Sequence, residues 1–237
     1  MIAIGTRLPA RLQRLGRWLL PPRCLACAGP GVDGLDLCAD CRAELPWNQG
    51  ACRRCGLPLA PGMPIPCGAC RLAPPPYQRV QCALRYGFPV DRLLPRFKFH
   101  GDLACGALLA TLMGWALDPE DLPQALVPVP LHRARLRERG YDQALELARM
   151  LARGGAPPVC AQALRRVRAT RAQSRLGARD RRDNLLGAFD LRPGQALPAH
   201  VALVDDVMTT GATVAECARV LRAGGVARVD VWAIARA

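Results

Sequence analysis

Asp205 and Asp206 stand side by side between an apolar run and a cluster of small hydroxyls, in the stretch VALVDDVMTTGAT at residues 201–213. The apolar run suits a short buried strand, and the carboxylates follow where it emerges. Beyond them Val207, Met208, Thr209, Thr210, Gly211, Ala212 and Thr213 read as a turn entering a helix. Backbone N–H groups at a helix start attract an anion, Gly211 permits close approach, and the threonines add hydroxyl donors, so this loop is expected to cradle a phosphate. The neighbouring carboxylates repel phosphate, but they can accept hydrogen bonds from vicinal hydroxyls or hold Mg²⁺ through water. A phosphate beside a diol is a ribose phosphate. The plainer alternative is a strand ending in an aspartate cap with threonine turn residues, which the acid pair alone would satisfy. No lysine follows the glycine, which excludes a Walker-type phosphate loop.

A second chemistry sits near the other end of the chain. Cys24/Cys27, Cys38/Cys41, Cys52/Cys55 and Cys67/Cys70 form four CxxC pairs, and the pairs are separated by ten residues in the first half and eleven in the second, so 24–41 and 52–70 are near copies. Two residues between cysteines let both thiolates face one ion, and two pairs complete a closed tetrahedral site, which predicts two structural zinc ions. Disulfides are the competing reading, and the absence of a long apolar leader argues against them. Gly29 and Gly56 lie just beyond two of the pairs, where a knuckle needs positive φ. Cys82, Cys105, Cys160 and Cys217 stand alone and read as small core residues.

The charge balance is strongly basic: 33 Lys and Arg oppose 19 Asp and Glu, a formal net charge of +14, and Lys98 is the only lysine. A compact ammonium that survives such an arginine bias points to a role that a planar guanidinium cannot fill. In VPVPLHRARLRERG, residues 127–140, Arg133, Arg135, Arg137 and Arg139 alternate and would share one side of an extended segment, where guanidinium forks suit a pyrophosphate. Arg165, Arg166, Arg168, Arg171, Arg175, Arg179, Arg181 and Arg182 crowd the next connection. That run is either a hood over the site or a track for a nucleic-acid backbone, and its lack of aromatics favours backbone contact over base stacking. Lys98, Arg133, Arg139 and Arg179 are therefore the candidates for a pyrophosphate or a DNA backbone.

The elements that must position these groups follow from periodicity. Strands are expected near 80–86, 125–129, 159–164, 201–205 and 227–234, with helices near 102–117, 141–153 and 212–223, an α/β pattern with a mostly parallel sheet flanked by helices. Ligands of such sheets bind outside the carboxyl ends of the strands. The three consecutive prolines of LAPPPYQ, residues 72–78, mark a boundary, which divides the chain into a short amphipathic helix (1–22), a double zinc ribbon (23–75) and an α/β domain (76–237). In the first segment Leu8, Leu12, Leu15 and Leu19 recur at helical spacing among arginines, a face for docking on the body of the protein or on a membrane surface. No stretch is long and apolar enough to span a bilayer, so a cytoplasmic protein is expected, with the inner face of the membrane as a second placement.

The stretch at 201–213 closely resembles the phosphoribosyl-pyrophosphate motif of type I phosphoribosyltransferases: hydrophobics, two acids, two hydroxyl residues, Gly, any residue, Thr. Together with the tandem CxxC ribbons, FKFHGD (97–102), PVPLHRARLRERGYDQALELA (128–148) and RATRAQSRLGARDRRDNLLGAF (168–189), it makes residues 23–237 similar to the competence protein ComF family. That resemblance implies a type I phosphoribosyltransferase-like α/β domain behind a double zinc ribbon, and a role in DNA uptake during natural transformation. It implies Asp205 and Asp206 at the ribose hydroxyls, residues 207–213 around the 5′-phosphate, and Mg²⁺ bound with phosphoribosyl pyrophosphate. The implied partners are phosphoribosyl pyrophosphate or a ribose phosphate, single-stranded DNA and a competence helicase. Tyr141 and Asp142 replace the Phe and Asn more usual in the family, and Asp142 can still cap the helix that follows. The alternative function is an active, Mg-dependent phosphoribosyltransferase of nucleotide metabolism or salvage with an unknown acceptor.

Overall fold

The computed structural model describes residues 21–168 and 185–237. Two short helices, α1 (Ala39–Ala43) and α2 (Gly68–Leu72), lie in the cysteine-rich part, each starting just after the first cysteine of a CxxC pair. Then follow β1 (Arg79–Arg85), α3 (Val90–His100), α4 (Leu103–Ala116), β2 (Ala125–Pro128), α5 (Arg133–Arg139) and α6 (Gln143–Arg153). The chain continues with β3 (Leu164–Arg166), β4 (Phe189–Leu191), β5 (His200–Met208), α7 (Ala212–Ala223) and β6 (Arg228–Arg236).

Four strands form one sheet in the order β1-β6-β5-β2, and every pair is parallel. The central strands β5 and β6 are almost continuously apolar because helices cover both faces, as parallel sheets require. One apolar cluster packs α3, α4 and α6 on one face around Phe97, Leu109, Leu147 and Trp232. The other gathers Val201, Leu203, Cys217, Leu221 and Val229 beneath α7. β3 and β4 form a separate antiparallel pair whose intervening chain contains residues 169–184, outside the described residues.

Three sequence expectations change in detail. The strand expected at 159–164 reduces to a single parallel bridge from Val159 to Leu126, and the next strand residues turn away into β3. The strand expected at 201–205 runs on to Met208, so the two carboxylates lie within its last turn of pleat rather than after it. The third difference is α3, a helix that the alternating charges and Pro95 disguise. Its packing explains why it forms: Phe97 is fully buried against Gly106 of α4, where a Cβ would lie 2.5 Å from the ring. Gly101 ends α3 at φ 65°, and Asp102 caps α4 by accepting from the Cys105 N–H at 3.1 Å. The HGD of FKFHGD is thus a corner between two helices, and it fixes the rotation of Lys98.

Candidate functional site

The eight paired cysteines come together as Cys24, Cys27, Cys38 and Cys41, and as Cys52, Cys55, Cys67 and Cys70, with the sulfurs of each group within 4.8 Å of one another. Cys27 Sγ lies 3.6 Å from Cys38 Sγ, and Cys55 Sγ lies 3.8 Å from Cys67 Sγ. A tetrahedron with Zn–S bonds of about 2.3 Å has edges of about 3.8 Å, so the donors fit two Cys₄ zinc sites and do not form disulfides. In each group burial opposes ionisation of the leading cysteine, yet backbone hydrogen bonds overcome it and bring Cys24 and Cys52 down to about 6. Burial and neighbouring sulfurs push Cys41 and Cys70 up. A dication removes that mutual repulsion.

The two knuckles are built alike. Cys24 N–H donates to Gly29 and Cys52 N–H to Leu57, both at 2.8 Å, while Ala28 and Gly56 close the turn onto the carbonyls of Cys24 and Cys52. The left-handed residue is therefore the one directly after each pair: Gly56 at φ 70°, and in the first ribbon Ala28 at φ 64°, not Gly29. The expectation of a glycine there holds for one ribbon only.

At the carboxyl edge of the sheet, Asp206 is 4% exposed. It pairs with Lys98 Nζ at 2.9 Å, and Gln143 Nε2 donates to it at 3.3 Å. α3 and α6 thus reach over the end of β5 from one face. Asp205 belongs to the other side, where its charge is felt by Cys217 and Arg166. Burial and the adjacent Asp206 push the Asp205 carboxyl up to about 7, although Lys98 works against that rise. Asp142 caps α6 by accepting from Leu145 N–H at 3.1 Å and also takes the Leu131 N–H at 3.1 Å, so its carboxylate performs the capping task expected of it.

After Met208 the chain turns through exposed Thr209 and Thr210 into α7, with Gly211 as its N-cap at φ 74°. A Cβ on Gly211 would approach Met208 Cε to 2.7 Å and the Tyr77 hydroxyl oxygen to 3.1 Å, so both conformation and space exclude a larger residue. Beneath the loop lies Arg236, 7% exposed. It donates to the carbonyls of Met208 at 2.8 Å, Thr209 and Ala237, and from Nε to Cys55 at 3.0 Å. One buried guanidinium therefore joins the second zinc knuckle to the root of the threonine loop.

Of the candidate residues, Lys98 and Asp206 are brought into direct contact. The arginines of residues 133–139 are not on one side of an extended segment: they form α5, so they distribute around a helix. Arg139 lies 5.0 Å over the ring of Phe99, beside Lys98, whereas Arg133 is exposed in the first turn. Arg179 and the helix expected at 1–22 fall on residues 169–184 and 1–20, outside the described residues. Gln143 and Arg236 were missed. Gln143 had one signal, a polar residue on the apolar face of a strongly amphipathic helix; Arg236 had its position at the end of an otherwise apolar strand.

A protein of Salmonella typhimurium named DNA utilization protein YhgH is 37% identical over 225 residues, covering 92% of this chain and 98% of that protein. Competence protein F of Haemophilus influenzae is 35% identical over 224 residues, covering 91% and 97%. The chain belongs to the competence protein ComF family. The family relationship extends to Escherichia coli strain K12, whose DNA utilization protein YhgH is 36% identical over 225 residues. A family model described as a double zinc ribbon domain matches residues 15–71, which includes all eight paired cysteines. Among the described residues no helix is long and apolar enough to cross a membrane.

Proposed function

We propose that this ComF-family chain serves DNA uptake in natural transformation, with a loop at residues 205–213 that binds phosphoribosyl pyrophosphate or a ribose phosphate and a basic surface that holds single-stranded DNA. The names of its relatives support the biological role. The observation that carries the ligand is the edge of β5: a buried Asp206 held by Lys98 and Gln143, followed by a left-handed Gly211 that opens α7. Carboxylates accept from sugar hydroxyls, and the N–H groups of the first helical turn take the phosphate beside the Thr210 hydroxyl, which already accepts from Ala212 N–H. Mg²⁺, when bound with the diphosphate, would offset charge near these acids. In this reading Lys98 of α3 and Arg139 and Arg133 of α5 are the groups for a pyrophosphate or a DNA phosphate, which would compete with Asp206 for the ammonium. The partner delivering the strand is a helicase in this reading, and the chain works in the cytoplasm or at the inner face of the membrane.

Calorimetry with phosphoribosyl pyrophosphate and Mg²⁺ tests the pocket. The wild-type chain should bind, and Asp205→Asn/Asp206→Asn should lose at least tenfold in affinity, about 1.4 kcal/mol; equal binding would remove the ligand assignment. Release of pyrophosphate with a panel of bases and amines would turn the binding module into a transferase. Single-stranded DNA affinity should fall steeply with salt and on neutralising Arg179, Arg181 and Arg182, and a flat salt response would remove the DNA assignment.

A further inference from the structure

A second concave region lies along the outer edge of β1, on the far side of β6 from β5. Its lining runs along β1 from Arg79, in register with Asp230 of β6 and Ala202 of β5, to Cys82, in register with Ala233 and Asp205, so the groove is separated from the two carboxylates by the width of β6. There residues 46–53 cross the free edge of β1: Asn48 N–H donates to Ala83 and Val80 N–H to Arg53, with a cavity of about 460 Å³ under the arch. Trp47 and Trp115 line it, and Arg42 sits 5.3 Å over Trp115.

Two amides in its wall are fixed by their other ends. Asn48 Nδ2 donates to the Gly56 carbonyl at 2.9 Å, which leaves Asn48 Oδ1 buried with no partner. Gln81 Oε1 accepts from Asp118 N–H at 3.0 Å, which leaves Gln81 Nε2 buried with no partner. One acceptor and one donor are thus held in place without a protein group to satisfy them, an arrangement that is unfavourable unless something else does. Next to this cavity is another of about 540 Å³, lined by Arg53, Arg54, Arg79, Arg228 and Asp121. Arg79 and Arg228 are already paired with Asp121. Arg53 borders both cavities, is exposed, and has no carboxylate partner among the described residues.

We propose that this groove binds a nucleotide unit, its base against Trp47 and Trp115 with the Asn48 and Gln81 amides turning to its polar edge, and its phosphate on Arg53. Indole surface stacks on any base, an amide donor and acceptor meet the polar edge of a heterocycle, and a free guanidinium takes a phosphate oxygen. The cavity falls in the range of about 300–1,000 Å³ usual for small-ligand sites. The unit can come from a free nucleotide or from one residue of a single strand; only the second source rests on the DNA reading above.

Calorimetry with dAMP and with a ten-nucleotide oligo(dA), on the zinc-loaded chain, tests it. Binding of either probe should weaken about fivefold to tenfold in Gln81→Glu, which keeps the acceptor for Asp118 N–H but replaces the orphaned donor, and similarly in Arg53→Ala. Zinc content and phosphoribosyl pyrophosphate binding should stay unchanged in both, and nucleotide binding should persist in Asp205→Asn/Asp206→Asn. Weakened dAMP identifies a free-nucleotide site, and an effect confined to oligo(dA) identifies a strand site. Failure of both probes to bind overturns the proposal, as do variants that bind both like the wild type. Loss of dAMP binding only in the aspartate variant would also overturn it, because the nucleotide would then occupy the threonine loop; failure of phosphoribosyl pyrophosphate to bind would leave this groove untouched.

Discussion

The two zinc ribbons are nearly identical in covalent plan and differ in what surrounds them. In the first, Cys24, Cys38 and Cys41 join Leu37 and Leu45 in the same apolar cluster as Leu93, Phe97 and Leu109, so the ribbon is part of the wall of the α/β core. In the second, Cys52, Cys67 and Cys70 form a cluster of their own, with Cys55 and Leu59 packed beside it. Each knuckle also receives one arginine from the α/β part. Arg96 of α3, ion-paired with Asp102 at 2.7 Å, donates to the Leu25 carbonyl; Arg236 of β6 donates to the Cys55 carbonyl and to the threonine loop. A repeat of sequence has thus become two devices, one fastened by apolar packing and one by hydrogen bonds, among them those of a buried arginine that also touches the candidate ligand loop.

The largest effect that can separate them is loss of metal. Zinc supplies on the order of 10–16 kcal/mol in small fingers, and a ribbon without it has little core to hold it. Cys41→Ser should lower the stability of the whole chain by more than about 4 kcal/mol, because the collapsed ribbon exposes a face of the main core. Cys70→Ser should halve the zinc content just as Cys41→Ser does, while leaving the main urea transition in place and adding an earlier, smaller one. Metal analysis and urea melts followed through buried Trp232 check this; identical melts for the two variants would mean that the ribbons unfold as one unit.

How much of this was visible in the sequence depends on the range of the interaction. CxxC spacing is local, and so is the strand-acid-acid-turn-helix order, so the cysteine clusters and the candidate ligand loop could be located before any fold was known. Asp142 could be assigned as a helix cap for the same reason. α3 was hidden because its helical signal conflicts with Pro95, and only the contact between Phe97 and Gly106 decides the matter. The arginines of α5 were misplaced because alternate arginines look alike on a strand and on a short helix with no buried residue. Arg236 and Gln143 were beyond reach for a different reason: Arg236 meets Cys55 across 181 residues and Gln143 meets Asp206 across 63, and nothing in one sequence couples such positions.

The arginine links are the next way to break the comparison. Arg236→Met keeps most of the apolar stem but leaves the carbonyls of Cys55 and Met208 without their donor in a buried place, which should destabilise the chain by about 3 kcal/mol. Hydrogen exchange should quicken at Cys52, Gly56 and the start of α7, and binding of phosphoribosyl pyrophosphate should weaken with it. Arg96→Met should be milder, about 1 kcal/mol, because the Arg96 side chain is 41% exposed and apolar contacts already hold the first ribbon. Equal losses in the two variants would show that the core packing of the first ribbon contributes nothing extra.

The smallest test exchanges the two knuckle residues. Gly56→Ala places a methyl group at φ 70°, where its Cβ would stand 2.9 Å from Val80 Cγ1 and 3.2 Å from Cys82 Sγ. Left-handed backbone strain of about 1–2 kcal/mol adds to that crowding, so a loss of about 2 kcal/mol is expected. Ala28→Gly does the reverse in the first ribbon. It relieves the same strain but gives the unfolded chain back the freedom that a glycine has, about 0.5–1 kcal/mol, so the net gain should stay below about 1 kcal/mol. Thermal melts of the zinc-loaded variants measure both. A stabilising Gly56→Ala would mean that the second ribbon can tilt away from β1 to make room, and the buried Arg236 would then have to release either the knuckle or the loop to let it move.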